Sequence, residues 1–219
     1  MSMNESDEKI SKIAKPKIVN LQNGRIDDIY FEDEIMISGM NFCGGMIESV
    51  SAESVSIEKS VFCDVTFRDA MLPRADLSDV KFDHCNLANT NWSRSIIHRV
   101  EFVDCNMTGV DFGEATFRNA VFHNCSARYA FFRGADLGLT RFFKSNLSLT
   151  DFQQTKFSQL HFSQSNLSEA QMSGCTLSGI NFSDCDIDGM QARLEDYKGA
   201  IVSPMQALDL VKIMGVIVK

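Results

Sequence analysis

The chain has 219 residues, of which 44% are apolar, and its 29 Asp and Glu outweigh 21 Lys and Arg to leave a net charge of -8. That length fits one domain with a sizeable core. The acidic balance argues against nucleic acid as a direct ligand, because binding phosphates needs clustered cations. It permits a basic protein partner, such as one that itself binds DNA.

The first twenty residues, MSMNESDEKISKIAKPKIVN, are polar and hold no apolar core of a signal peptide. Residues 1–20 are expected to form a mobile tail. No stretch approaches 18 apolar residues, so no membrane span is expected and the cytoplasm is the expected address. Seven cysteines, an odd number in a long chain without a signal, predict reduced and packed thiols rather than disulfides. Residues 21–40 are irregular and carry Asp27, Asp28, Glu32, Asp33 and Glu34; they are expected to add a strand or partial coil.

From Phe42 onward a period of five takes over. Stepping by five from Phe42 to Ile187 meets thirty apolar residues in succession, and no insertion breaks the phase. Two residues before each of these centres lies a mostly small residue, as at Val65, Ala70, Ala75, Cys85, Thr90 and Ser95. Residues two apart on an extended chain point the same way, so each unit sends one large and one small side chain inward. The other three positions carry nearly all the charge and should face water. Gly, Asn, Asp and Ser just after the centre suit a turn. An α-helix is excluded, since five residues turn about 500° and would scatter the pattern around its surface.

A longer period of twenty divides the coil into four sides. Phe42, Phe62, Phe82, Phe102, Phe122, Phe142, Phe162 and Phe182 form one column, and Cys85, Cys105, Cys125, Ser145, Ser165 and Cys185 form its small companion. Thirty units at four per coil make 7.5 coils. At about 4.8 Å per layer the rod is about 36 Å long.

Units such as Ala75-Asp76-Leu77-Ser78-Asp79, Ala135-Asp136-Leu137-Gly138-Leu139 and Ser165-Asn166-Leu167-Ser168-Glu169 resemble the pentapeptide-repeat family. The resemblance spans about residues 40 to 190. It implies an all-β chain folded as a right-handed quadrilateral β-helix. The scaffold serves many unrelated roles, so fold alone does not give function.

The repeat stops near Gly189. Ser203-Pro204 supplies an N-cap followed by Pro at the first helical position, and predicts a helix from Pro204 to Met214 that stops at Gly215. Ala207, Leu208, Leu210, Val211 and Met214 form its apolar arc, Met205 and Ile213 lie beside the polar residues, and Val216-Ile217-Val218 reads as a short strand. The expected organisation is thus a tail at 1–20, the β-helix at 21–195, and a helical cap and dimerisation module at 196–219. Met205, Leu208, Leu210, Val211, Ile213, Met214, Val216 and Ile217 are the expected interface of a tail-to-tail homodimer about 70 Å long, comparable to roughly twenty base pairs of DNA.

The tail from Gln206-Ala207-Leu208 to Met214-Gly215-Val216-Ile217-Val218 resembles the gyrase-interacting branch of the family, which includes the Qnr, MfpA and microcin B17 immunity proteins. That resemblance implies an acidic, DNA-mimicking dimer that occupies the DNA-binding saddle of DNA gyrase or topoisomerase IV. The unbroken phase leaves no room for the projecting loops of Gram-negative Qnr proteins, which puts quinolone protection in doubt more than gyrase binding.

Charge along the rod is uneven. Residues 160–190 hold Glu169, Asp184, Asp186 and Asp188 without Lys or Arg, and these are the expected partner-binding acids. From Arg94 to Lys156 there are eight bases against six acids. His84, His98, His123 and His161 occupy outward positions on different phases, so no metal cluster is expected, and the cysteine column reads as packing. No nucleophile elbow or phosphate loop is present, and no cofactor, small-molecule substrate or catalytic set is expected. A topoisomerase-binding dimer and a non-catalytic scaffold or effector for another partner are the two functional readings.

Overall fold

The computed structural model describes residues 13–213 and 216–217. Strands β1 (Gln22–Gly24), β2 (Met36–Ser38), β3 (Met40–Cys43) and β4 (Met46–Glu48) build the first layers, with a 3-10 turn at Ile26–Asp28 between β1 and β2. They are followed by β5 (Ser56–Cys63), β6 (Thr66–Arg68), β7 (Asp76–Asp83), β8 (Ile96–Val103), β9 (Thr116–His123), β10 (Asp136–Phe143) and β11 (Lys156–Ser163). One helix, α1 (Pro204–Ile213), closes the chain's C-terminal end. The architecture is a four-sided parallel β-solenoid of about seven turns.

From β2 onward the strand pairings have the twenty-residue register that the sequence period predicts, whereas β1 pairs with β3 at an offset of eighteen, as in Gln22 with Met40. In β7 and β8, Leu77 faces Ile97 and Phe82 faces Phe102; β9, β10 and β11 continue with Phe122, Phe142 and Phe162. The long strands cross two adjacent sides. The other two sides are turns tied by single bridges such as Asn86 to Asn106 and Asp111 to Phe131.

The core is two aromatic stacks meeting edge to face. Along the first, Phe82 and Phe102 lie 5.1 Å apart, and Phe102 and Phe122 4.8 Å apart, nearly parallel. Phe112, Phe132 and Phe152 form the second, and Phe122 meets Phe132 at 6.1 Å and 84°. Both are favoured geometries of the aromatic quadrupole. The one buried indole is satisfied: Trp92 Nε1 donates to Thr90 Oγ1 at 2.9 Å, and Thr90 Oγ1 donates to Leu87 O at 2.7 Å.

The small column has a second role. Cys85, Cys105 and Cys125 donate their thiols to the carbonyls of Phe62, Phe82 and Phe102, and Ser145 and Ser165 do the same to Phe122 and Phe142. The neighbouring Cys125 thiol and burial push the Cys105 thiol up to about 12, against an opposing effect of Cys85, and burial does the same for Cys175 and Cys185. These are packed, protonated thiols. Cys43 and Cys63 differ: they are free, but Cys43 is exposed and Cys63 half-exposed, because both sit one residue after a centre, on the outward side.

Corners are made by the residue two after the centre in nearly every unit, Asp184 being an exception. The corner residue adopts the left-handed conformation whether it is Asp79 (φ 60), Tyr129 (φ 57) or Leu149 (φ 60). For a residue with a Cβ that conformation costs about 1–2 kcal/mol, and the ladder on either side overrides it.

The N-terminal segment departs from the expected mobile tail. From Ala14 to Lys17 the chain runs along the rod rather than away from it. Ala14 N donates to Asn119 Oδ1 at 3.0 Å and Lys17 N donates to Asp79 Oδ1 at 2.8 Å. The anchors lie two coils apart, about 9.6 Å, and three extended residues reach about 10 Å. Asp79 occupies an outward position yet is 4% exposed, since this strap and Arg99 cover it. Arg99 Nε and Nη2 donate to its two oxygens at 2.6 and 2.5 Å. The Arg99 guanidinium holds the Asp79 carboxyl below its usual range, with the Lys17 amide adding to the effect.

Two predictions follow from this packing. Phe122→Ala should cost about 3–5 kcal/mol, read as a lowered urea midpoint, because neighbouring rings cannot close the gap without breaking register. Asp79→Asn keeps the corner conformation, which Asn tolerates, but removes the ion pair and should cost about 1–3 kcal/mol near neutrality. Because the Asp79 carboxyl is depressed when folded, its contribution is present above the unfolded carboxylate pKa and is lost as pH falls through the folded one. Urea midpoints of the wild type should therefore drop in acid more than those of Asp79→Asn, with the two converging at low pH.

Candidate partner-binding surfaces

The last coil is where the repeat pattern ends but the ladder continues. Bridges join Gln171 to Gln191 and Asn181 to Ile201, past the last legible unit at Gly189. Tyr197 Oη donates to Met190 O at 2.9 Å and pins the intervening turn.

Helix α1 starts as its sequence predicts. Gln206 N donates to Ser203 Oγ at 3.3 Å, and Ser203 N donates back to Gln206 Oε1 at 2.8 Å, a reciprocal capping box. Gln206 does more than sequence reasoning assigned it. Its Nε2 donates to Phe182 O at 2.9 Å and Cys185 O at 2.7 Å, satisfying carbonyls at the open edge of the final coil. One side chain thus starts the helix and seats it on the rod.

That seating decides which apolar residues remain outside. Ala207, Leu210 and Val211 are half-buried toward the rod, whereas Met205 is 71% and Leu208 45% exposed. Val216 and Ile217 are also exposed, and neither forms the expected strand; no neighbouring strand of the described residues pairs with them. Leu194 and Ile201 add to this apolar end. Ile213 is the last residue of α1, while Met214, the stop at Gly215, and Val218 lie outside the described residues.

Of the four acids singled out in the sequence, Asp186 and Asp188 lie together beside α1 and Glu169 stacks on Asp188, whereas Asp184 lies at another corner against Ser163 and Gln164. Glu169 N donates to Asp188 O at 2.8 Å, which stacks the two residues in adjacent layers. Asn166 bridges Asp186. Asp184 Oδ2 accepts from Ser163 Oγ and Gln164 N one coil earlier, and Asp186 Oδ1 accepts from Asp188 N, so the first ties two coils together and the second stabilises its own turn. A groove of about 370 Å³ between α1 and the last coil is lined by Asp186, Asp188, Leu210 and Asp209. Asp209 was read only as a polar helix residue; its place beside the other acids depends on how Gln206 seats the helix.

A histidine departs from the sequence reading too. Asp83, His84 and Asp104 bring ligand atoms within 4.8 Å of one another, although no cluster was expected. The stacking of residue 84 beside 104 across one coil causes it. His84 Nδ1 lies 2.6 Å from Asp83 and its Nε2 3.8 Å from Asp104. Lys81 Nζ holds the second oxygen of Asp83, and Asn124 Nδ2 donates to Asp104. Asp83 raises the His84 pKa, with Asp104 and Asp64 adding to it. The two carboxylates thus favour the protonated form of this imidazole.

No helix of the described residues is long and apolar enough to cross a membrane.

Comparisons with known proteins come from sequence and from structure. Residues 75–147 match the model of a pentapeptide repeat region, and residues 145–184 match the model of eight pentapeptide repeats. The uncharacterized protein YisX of Bacillus subtilis is 30% identical over 125 residues, which are 55% of this chain and 57% of that protein. The chain therefore spans little more than half the length of that relative. Among solved structures, HetL, a pentapeptide repeat protein involved in heterocyst differentiation regulation from Nostoc, is 17% identical over 92% of this chain and 98% of its own, with a TM-score of 0.48. QnrB1, a plasmid-mediated fluoroquinolone resistance protein, is 18% identical over 84% of this chain and 99% of its own, with a TM-score of 0.42. The two repeat models together cover half of the chain, in the phase and register of the solenoid, and the chain belongs to the pentapeptide-repeat family.

Proposed function

We propose that this protein is a DNA-mimicking homodimer that binds DNA gyrase or topoisomerase IV and modulates it against a quinolone or a peptide toxin. The observation that carries this reading is the joining of two surfaces at one end of the rod. Exposed Met205 and Leu208 sit on α1, and Asp186, Asp188 and Asp209 line the groove on the same helix. A tail-to-tail pair through α1 would bury the apolar residues and bring two acidic clusters to its centre. A protein that holds DNA presents cations to such a surface, and charge complementarity speeds and orients the encounter. The tail's resemblance to the gyrase-interacting branch supports the same partner.

Leu208→Asp tests the dimer better than a change at Leu210, which is half-buried toward the rod. The expected result is a folded monomer whose light-scattering mass is half that of the wild type; an unchanged mass would rule out this interface.

The partner is tested by a gyrase supercoiling assay, with and without a quinolone. The wild type should inhibit supercoiling or relieve the drug. A Glu169→Lys, Asp188→Lys double variant, changed at two exposed residues, should lose about tenfold in potency, the equivalent of ~1.4 kcal/mol. No effect of the wild type in either arm would exclude the topoisomerase reading.

A further inference from the structure

The strand side of the rod carries a second surface. A groove of about 350 Å³ runs beside the N-terminal strap, with Ile13 and Lys15 as one wall. Val103, Val121 and Phe143 make its floor apolar, Glu101 stands at one end and Arg141 at the other. These outward valines and the phenylalanine lie on the water-facing side of strands whose opposite faces build the core.

The Arg141 end is unusual for an acidic chain. The Arg141 guanidinium lies 4.6 Å from the centre of the Phe143 ring, Lys144 Nζ lies 5.1 Å from it, and the His123 ring stacks on it at 5.2 Å. Most arginines elsewhere on the rod have carboxylates: Arg68 pairs with Glu48, Arg94 with Glu114, Arg118 with Asp136 and Arg133 with Asp151, while Arg128 lies over the Tyr129 ring. Arg141 and Lys144 pair with no acid among the described residues, and Arg141 Nε is buried there without an acceptor. A buried charged donor without an acceptor costs stability, and a carboxylate is the group that suits a guanidinium best.

We propose that this groove docks an extended acidic segment of a partner protein, placing a carboxylate on Arg141 and an apolar side chain over Val103 and Val121. The strap shows how an extended chain fits here, because three residues advance by two coils and each third residue meets an equivalent layer. Glu101 at the far end and the net charge of -8 disfavour the evenly spaced phosphates of a nucleic acid.

Fluorescence anisotropy with the full-length protein tests this, using a labelled ten-residue peptide of alternating glutamate and valine. The peptide should bind, a lysine-valine counterpart should not, and Arg141→Glu should weaken binding about tenfold, ~1.4 kcal/mol. Lys144→Glu, at an exposed position, should weaken it less and keeps the test decisive if Arg141→Glu does not fold. Binding that neither substitution changes would overturn the proposal, as would equal, Arg141-dependent binding of a twelve-nucleotide DNA strand. So would binding that emerges only when Glu5, Asp7 and Glu8 are replaced by lysine, which would make the chain's own first residues the occupant.

Discussion

The in-register stacking of identical positions every twenty residues is the constraint from which the rest of this molecule descends. Once Phe82 lies on Phe102 and Phe102 on Phe122, each outward position is also brought over its equivalent one coil away. The interior has one large and one small residue per side and no space for a ligand. Stacked rings exclude water, and the thiols and hydroxyls of the small column satisfy carbonyls that the tight corners leave free. Corner residues take up left-handed backbone as a consequence, even where they are Tyr or Leu. Function is thereby displaced to side chains that contribute little to the fold.

A ladder of this kind has two open edges, and the chain closes them differently. At the N-terminal end, short strands and a 3-10 turn make an incomplete first coil. At the C-terminal end, Gln206 satisfies the last carbonyls and sets the pose of α1. That pose buries Leu210 and Val211 in part and turns Met205 and Leu208 outward. Capping the rod and leaving an exposed apolar surface are therefore one structural event, and the proposed dimer depends on the same helix that walls the acidic groove.

Charge on the rod is mostly spent on itself. Acid and base one coil apart pair repeatedly, as in Arg94 with Glu114 and Arg68 with Glu48. Such exposed pairs add little stability, typically about 0–1 kcal/mol, but they neutralise the middle of the rod. Among the regions that escape this cancellation are the acids of the last two coils and the Arg141–Phe143–Lys144 cluster beside the strap. Both are places where a partner's charge would meet an unanswered one.

Much of the architecture was legible in the chain of letters, for a local reason. A core built from residues five apart repeats its signature thirty times, so the phase, the four sides, the Phe column and even the Ser203-Pro204 helix start could be read before any coordinates. The acids at 169, 184, 186 and 188 were legible as a stretch without bases, though not as a surface shared with Asp209. Other features have no local signature. Asp79 reads as one more solvated corner; it is buried because Lys17, 62 residues earlier, lies over it. Asn119 gains its partner from Ala14 at a separation of 105 residues. Gln206 looks like an exposed helix residue until the last coil is placed beneath it, and Val216 and Ile217 have strand-forming side chains but no strand among the described residues to pair with. Periodic packing is written in neighbouring residues. Contacts between the chain's ends and the rod arise only after the rod exists to receive them.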